Sequence, residues 1–292
     1  MKMTLLKEKF ESYGIDVKSM VFFLRKVSLR KALKENGLQE LKEKLCRIVP
    51  DEDIIRQEFS ECTDTDYKRL KRRALHAFQC YLMLKALEDS QGKPTVVDIG
   101  DSMGTHMRYL KALTKEKHDI DTISVNLDER AIERIKAGGM EAIHSRAEDL
   151  DLGDKEIDLF TSFQMVEHLH NPSIFFRRLA KKSKGKKMLL TVPYVRKSRV
   201  GLHHLRNGFC HPIRAEEEHI FELNPKDWSL LFLHSGWKVT YSKINYQYPR
   251  KLPILNCFWK ILWRVPLDYE GFWGAILEKD TTYSDCYQDW EE

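Results

Sequence analysis

The sequence predicts an α/β fold: a parallel sheet with helices on both faces, preceded by a helical N-terminal region. Three observations carry this. From Pro94 onward, strand-like and helix-like segments alternate. Residues 1 to about 90 contain no strand-like alternation and few glycines. Between the two lies VVDIGDSMGTH, Val96 to His106, which reads as a strand that turns tightly into a helix N-terminus.

In the N-terminal region, apolar residues recur at three- and four-residue steps, as at Tyr67, Leu70, Leu75, Phe78 and Leu82. An acidic linker, PDEDIIRQEFSECTDTD, separates an early helical part from a helix near 66–89, which Asp64 or Asp66 would cap. Lys68, Arg69, Lys71, Arg72 and Arg73 form a basic run inside that helix. It reads as a solvated face or, more sharply, as a phosphate-facing patch for an anionic substrate or a lipid headgroup.

The alternating part begins with the strand PTVVDIG and a helix from Gly104 to Lys115. DTISVN is a second strand, and DERAIERIKAGG a helix stopped by Gly138 and Gly139. MEAIHS and EIDLFTSF are the third and fourth strands; the helix from Asn171 to Lys182 carries Pro172 in its first turn. KKMLLTVP is the fifth strand. A loop-rich insertion from Tyr194 to Leu223 holds His203, His204, His211 and His219. NPKDWSLLFLHSG is a helix capped by Asn224, WKVTYSKI a strand, PRKLPILNCFWKILWRVPLDYEG an aromatic insertion, and FWGAILEK the last strand.

At 292 residues the chain suits one large domain, or one domain with a helical extension, and 42% hydrophobic residues can bury a sizeable core. A net charge of +5 is mild and does not point to nucleic acid. The six cysteines include no CxxC pair, so neither a zinc knuckle nor a redox motif is expected, and reduced thiols in a cytoplasmic protein are. The N-terminal MKMTLLKEKFESYG has no signal-peptide pattern, and no apolar stretch reaches the roughly 18 residues of a spanning helix.

The loop itself carries chemistry. Gly100 and Gly104 permit close backbone approach, and the helix start offers amide groups. A dinucleotide loop would be Gly-x-Gly-x-x-Gly, whereas Ser102 stands where the middle glycine belongs, and Asp98 lies inside the strand's end. An acid with an incomplete phosphate set suits a ligand with a cationic amino-acid end. S-adenosylmethionine, with an ammonium, a sulfonium and no phosphate, fits better than NAD. The plain alternative is a structural strand-to-helix turn.

With SVNLDERAIERIKAGG, RAEDLDLGDKEIDLFTSFQMVEHLHNP, LLTVPY and HIFELNPKDWSLLFLHSGWKV in order behind that loop, the chain resembles a class I S-adenosylmethionine-dependent methyltransferase of the small-molecule type. The resemblance covers roughly Pro94 to Ile244 and the last strand near 272–279. It implies a Rossmann-like sheet of seven strands with the last one antiparallel, a methyltransferase domain over 91–292 behind a helical region over 1–90, insertions at about 194–223 and 247–270, and S-adenosylmethionine as cofactor. Asp98 and Gly100 would lie by the methionine moiety, with Asp101, Ser102 and Gly104 completing the loop. Asn126, Leu127 and Asp128 would face the ribose, Ala147 and Glu148 would border the adenine, and Phe163 and Gln164 would flank the methyl donor. Three positions depart from the family pattern: Ser102, Asn126 in place of a ribose-binding acid, and Arg146 where an acid often meets the adenine.

Methyl transfer from a sulfonium is an in-line displacement in which positioning does most of the work, with a base for an oxygen or nitrogen nucleophile. Glu167 and His168, just after the fourth strand, are candidates, as are His203 and His204 in a loop that would cover the active-site end of the sheet. Glu167 reads equally well as an anchor for the following helix. His203, His204, His211, Glu216 and His219 match no compact ligand spacing, and no metal is predicted. The aromatic segment over 254–265 reads as packing against the N-terminal helices, as a peripheral membrane or lipid-substrate contact, or as a homodimer contact.

The predicted function is methylation of a small-molecule or cell-envelope or glycolipid precursor, at oxygen in preference. Two alternatives stand beside it. Asn126 and Arg146 motivate a non-catalytic cofactor-binding protein. The basic run motivates a nucleic-acid methyltransferase, against which FQMVEH replaces the NPPY-like motif of base-flipping enzymes.

Overall fold

A computed structural model describes residues 17–55, 66–117, 119–214, 217–251 and 270–287. Helices come first: α1 (Val17–Glu35), α2 (Gln39–Ile48), the short α3 (Asp51–Ile55) and α4 (Asp66–Ala86). The chain then alternates as β1 (Thr95–Ile99), α5 (Thr105–Thr114), β2 (Asp121–Asn126), α6 (Glu129–Ala137), β3 (Glu141–His144), β4 (Leu159–Phe163), α7 (Pro172–Lys182) and β5 (Lys187–Tyr194). Local chemistry sets the helix starts. Asp128 accepts from the Arg130 amide before α6, and Asn171 accepts from the Ile174 amide before α7, where Pro172 needs no donor. The insertion contains β6 (Arg199–Val200), α8 (His203–Arg206) and β7 (Phe221–Glu222). α9 (Pro225–His234), β8 (Trp237–Tyr246) and β9 (Gly271–Lys279) close the fold.

Seven strands form one sheet in the order β3-β2-β1-β4-β5-β9-β8, with β6 and β7 paired separately. β1 to β5 pair in parallel; β9 runs antiparallel to both β5 and β8. The chain leaves β1 toward β2 and later returns to its other side as β4, which puts a crevice at their C-terminal ends. Alternation in β1 sends Val97 and Ile99 into one core and Val96 into the other. Asp98 is on the Val96 side.

The Val96 side is covered by the N-terminal helices. Leu29, Leu33, Leu45, Ala77, Phe78, Leu82 and Met83 share a single buried cluster with Val96, Leu159, Leu189 and Ile276 of the sheet. On the other side Phe175, Phe176, Trp228 and Phe232 pack against Val97, Phe160 and Trp273.

The basic run of α4 corrects an expectation. Arg73 is neither a solvated nor a phosphate-facing residue, being only 2% exposed. Its guanidinium donates to the carbonyls of Leu45 (3.3 Å) and Val49 (2.6 Å), to Tyr109 Oη (2.7 Å) and to Asp51 Oδ1 (2.7 Å). It locks α4 to the α2–α3 junction and to α5. Lys68, Arg69, Lys71 and Arg72 are half-buried and each has a partner. The start of the acidic linker is α3.

The predicted cap Asp64, the cysteines Cys62 and Cys257, Glu216 and the aromatic segment 254–265 lie outside the described residues. Among the described residues no helix is long and apolar enough to cross a membrane.

Candidate active site

The loop after β1 is held by one carboxylate and presents another. Asp101 is 4% exposed and fully engaged: its Oδ1 accepts from the amides of Met103 (3.1 Å) and Gly104 (2.8 Å), its Oδ2 from Ser124 Oγ (2.8 Å). Gly100 has φ +92°, and a side chain there would put its Cβ 2.8 Å from Met165 Cγ, so β4's exit lies directly against the turn. Gly104 opens α5 in the left-handed region.

Asp98 is 2% exposed. Its Oδ1 accepts from Thr161 Oγ1 at 2.8 Å, while its Oδ2 is buried without a hydrogen-bond partner among the described residues. His106 Nδ1 lies 3.8 Å from Oδ2. The other nitrogen, Nε2, is 2.9 Å from Gln79 Oε1 and donates its proton there. Burial holds the His106 imidazole at a pKa of about 3, so it is neutral and offers Asp98 no donor. Burial and the Asp101 charge push the Asp98 carboxyl well above the usual carboxylate range, against the pull of the Thr161 hydrogen bond. An acid buried with one unmet oxygen at a glycine turn fits a ligand ammonium, the cofactor feature expected at this position.

Gln79 joins this loop to the end of β5. Its Nε2 donates to Thr191 Oγ1 at 3.0 Å, a hydroxyl that also accepts from Gln164 Nε2 at 3.3 Å. Gln164 has φ +55°, a costly conformation for a residue with a side chain, held by its amide donating to the Thr191 carbonyl at 2.9 Å. The Phe163 ring lies 4.5 Å from that of His106. Phe163 and Gln164 therefore join Asp98 and Gly100 in one crevice.

At the end of β2, Asn126 is engaged at both ends. Its Nδ2 donates to the Asp101 carbonyl (2.9 Å), and its Oδ1 accepts from the Asp128 amide (2.7 Å). It braces the loop from the end of β2. Leu127 is 63% exposed, and Asp128 pairs with Arg130 at 3.1 Å. Ala147 and Glu148 lie in a 3-10 turn in which Arg146 approaches Glu148 at 3.9 Å. The Arg146 guanidinium thus faces both acids of that turn, with Asp149 at 4.0 Å. Ser102 is half-buried beside the loop's engaged acid.

The insertion builds a second polar group. Glu222, 2% exposed, accepts from Arg199 Nε (2.5 Å) and faces His203 Nε2 (3.1 Å) and His219 Nδ1 (2.9 Å). Burial raises its pKa, yet these three donors bring it down to about 2. His204 Nδ1 lies 3.0 Å from Glu218 Oε2, and His168 donates from Nδ1 to the Glu218 carbonyl at 2.9 Å. His168 and His219 meet edge to face at 4.8 Å. Beside them Glu167 is 0% exposed, with neither carboxylate oxygen hydrogen-bonded among the described residues. Burial lifts its pKa to about 7. No side-chain hydrogen bond of Glu167 anchors the following helix; its carbonyl instead accepts from the Ile220 amide at 2.8 Å, tying the insertion down.

The structure brings His168, His203 and His204 into this one group, together with acids that sequence reasoning left out, Glu218 and Glu222. His211 contacts Phe209 away from it. Thr161, Thr191, Gln79, His106 and His76, whose ring meets that of His106 at 4.9 Å, were also missed as site residues. The available signal was His76 and Gln79 at i and i+3 among apolar residues of α4. A cavity of about 850 Å³ lies elsewhere, lined by Ile48, Arg108, Lys111 and Arg134 among others, and touches the loop only at Met103. The strand-end crevice, where the unmet carboxylate is, remains the candidate site.

This strand order, with a glycine turn leaving β1 at the switch point, defines a Rossmann-like methyltransferase fold. Residues 97–189 match the family described as a methyltransferase domain. Similar structures include the O-methyltransferase from the trans-AT PKS multienzyme of Brevibacillus brevis in complex with S-adenosyl-L-homocysteine (TM-score 0.51, 12% identity, 82% of this chain and 81% of that one). Another is a putative sarcosine dimethylglycine methyltransferase from Galdieria sulphuraria (0.50, 12%, 74% and 87%). The [4+2]-cyclase SpnF is similar too (0.52, 10%, 76% and 86%). At these identities the likeness establishes the fold. No curated protein matches the sequence. Residues 97–189 thus carry a methyltransferase domain, within a chain whose fold is that of the S-adenosylmethionine-dependent methyltransferases.

Proposed function

We propose that this enzyme methylates a hydroxyl oxygen of a small-molecule or lipid-linked substrate, such as a cell-envelope or glycolipid precursor. The carrying observation is the unmet, buried Oδ2 of Asp98 beside Gly100. S-adenosylmethionine, when bound, supplies an activated methyl group. Asp98 would hold the ammonium end, with Gly100 and the Asp101-braced turn through Ser102 and Gly104 allowing close approach. Asn126, Leu127 and Asp128 would meet the ribose, Ala147 and Glu148 the adenine, and Phe163 with Gln164 the methyl end.

The preference for oxygen rests on the bases beyond β4. A hydroxyl must lose its proton to attack well, and a positioned imidazole takes it. His203 suits this role: one nitrogen is held by Glu222 while its side chain is 47% exposed. His168 and His204, tied to Glu218, would position the acceptor. The fold's use by a cyclase supports testing catalysis directly rather than reading it from architecture. The proposal places the enzyme in the cytoplasm, where thiols such as the unpaired Cys46, Cys80, Cys210 and Cys286 stay reduced.

A second reading, a binding protein without turnover, draws on the full engagement of Asn126. Calorimetric titration with S-adenosylmethionine, S-adenosylhomocysteine and NAD, followed by turnover assays on matched hydroxyl and amine acceptors, separates the two. Binding of both sulfur ligands with NAD silent, and methylation of hydroxyl acceptors, is the expected result. Turnover confined to amines would remove the oxygen assignment, and binding without any turnover would favour the second reading.

A further inference from the structure

We propose that Glu167, His168 and His219 form a site for one divalent transition-metal ion at the exit of β4. Each residue offers a ligand atom, and the three atoms lie within 4.8 Å of one another. An ion at about 2.1 Å from each requires them to draw in by less than about an ångström. Side-chain rotation supplies that.

The independent observation is Glu167. It is 0% exposed, and both of its oxygens are buried without hydrogen-bond partners among the described residues. A buried carboxylate with neither oxygen satisfied is costly, and a metal ion is one of the few groups that satisfies both its charge and its lone pairs.

The histidines are oriented as ligands are. His219 donates from Nδ1 to Glu222 at 2.9 Å, and Glu222 is fixed in turn by Arg199 at 2.5 Å and His203 at 3.1 Å. His168 donates from Nδ1 to the Glu218 carbonyl at 2.9 Å. Carboxylate and carbonyl partners on Nδ1 fix each ring and its tautomer, and direct Nε2 to the ion. Two imidazoles and one carboxylate select zinc, cobalt or a similar ion over magnesium, which prefers oxygen ligands. Three protein ligands leave a position for an oxygen ligand from outside. Glu167 is three residues past Gln164, so that position belongs to the same end of the sheet as the crevice. The site does not depend on the acceptor being a hydroxyl.

The test uses tag-free, chelator-stripped full-length protein. Zinc and cobalt are titrated by calorimetry, with magnesium as control, and cobalt binding is followed by its visible absorption. One equivalent of zinc or cobalt at micromolar affinity or tighter, with magnesium weaker by about 100-fold or more, is the expected result. Glu167→Gln and His219→Gln should each weaken cobalt binding by about 100-fold or more and remove its absorption bands. The Glu167→Gln change is isosteric, and far-ultraviolet circular dichroism checks that both variants fold. S-adenosylmethionine binding is titrated separately, so failure of the cofactor reading and failure of the metal reading give different patterns. Absence of zinc and cobalt binding in wild-type protein overturns the proposal, as does binding that both folded variants retain.

Discussion

Two regions at the strand ends use the same device, a pair of buried acids of which one is saturated and the other is not. In the β1 loop, Asp101 accepts three hydrogen bonds while Asp98 keeps an unmet oxygen. In the wall formed by β4 and the insertion, Glu222 holds Arg199, His203 and His219, while Glu167 has no hydrogen bond at either oxygen. The saturated acid builds the scaffold. The unsatisfied one lowers the stability of the ligand-free fold. The regions differ in origin. The loop acids sit within a few residues of one another and of their amide donors, whereas the second group joins β4's exit to the far end of the insertion.

The strongest challenge to this contrast is Glu222→Gln. Removing the charge strands Arg199 beside two histidines, and the variant should lose about 3 kcal/mol of folding free energy. Urea unfolding measures it; wild-type stability would erase the distinction between the two kinds of acid. Asp98→Asn should act in the opposite sense. It keeps an acceptor for Thr161 but loses the charge, so affinity for S-adenosylmethionine should fall about 10–100-fold while the melting temperature of the ligand-free protein holds or rises. Calorimetry of both quantities checks the pair, and a lower melting temperature with unchanged affinity would reverse the assignment.

A pH experiment probes the neutral histidines behind Asp98. His106 has a folded-state pKa of about 3 against an ordinary 6.5, so the unfolded chain binds the proton first on acidification. Its contribution is complete above about pH 6.5 and is lost as pH falls, by roughly 1–2 kcal/mol between pH 7 and pH 5. His76, its pKa also depressed, first by burial, acts with the same sign. His106→Gln should flatten the slope of unfolding free energy over that range, and an unchanged slope would mean that His106 titrates alike in the folded and the unfolded chain. The smallest effect belongs to Glu167→Gln. In metal-free protein it should change stability by less than about 1 kcal/mol, in the stabilising direction, because no hydrogen bond is lost. A large destabilisation in urea unfolding would show that Glu167 is a structural anchor after all.

Much of the fold was readable because it rests on local rules. The strand DTISVN has the same bounds in the sequence pattern and in the sheet, Asp121–Asn126. Asn171–Pro172 and Asn224–Pro225 marked two helix starts through cap chemistry that acts within a turn. The loop's glycines and Asp98 were readable for the same reason. The role of Arg73 was not. Helical periodicity reports which face a residue is on, and gives no sign that carbonyl, hydroxyl and carboxylate partners await a cation there. Nor was the Asn126 brace, since its partner is a backbone carbonyl 25 residues away.

By itself, then, the sequence determined the order of elements, the class of the sheet and the position of the glycine turn, since each follows from propensity, periodicity and capping over a few residues. Only the tertiary structure decided which charged groups are satisfied. Burial and hydrogen-bond partners are set by what packs opposite, and Thr161 against Asp98, Gln79 against His106, and Glu222 against His219 come together only when the sheet, α4 and the insertion close on one another.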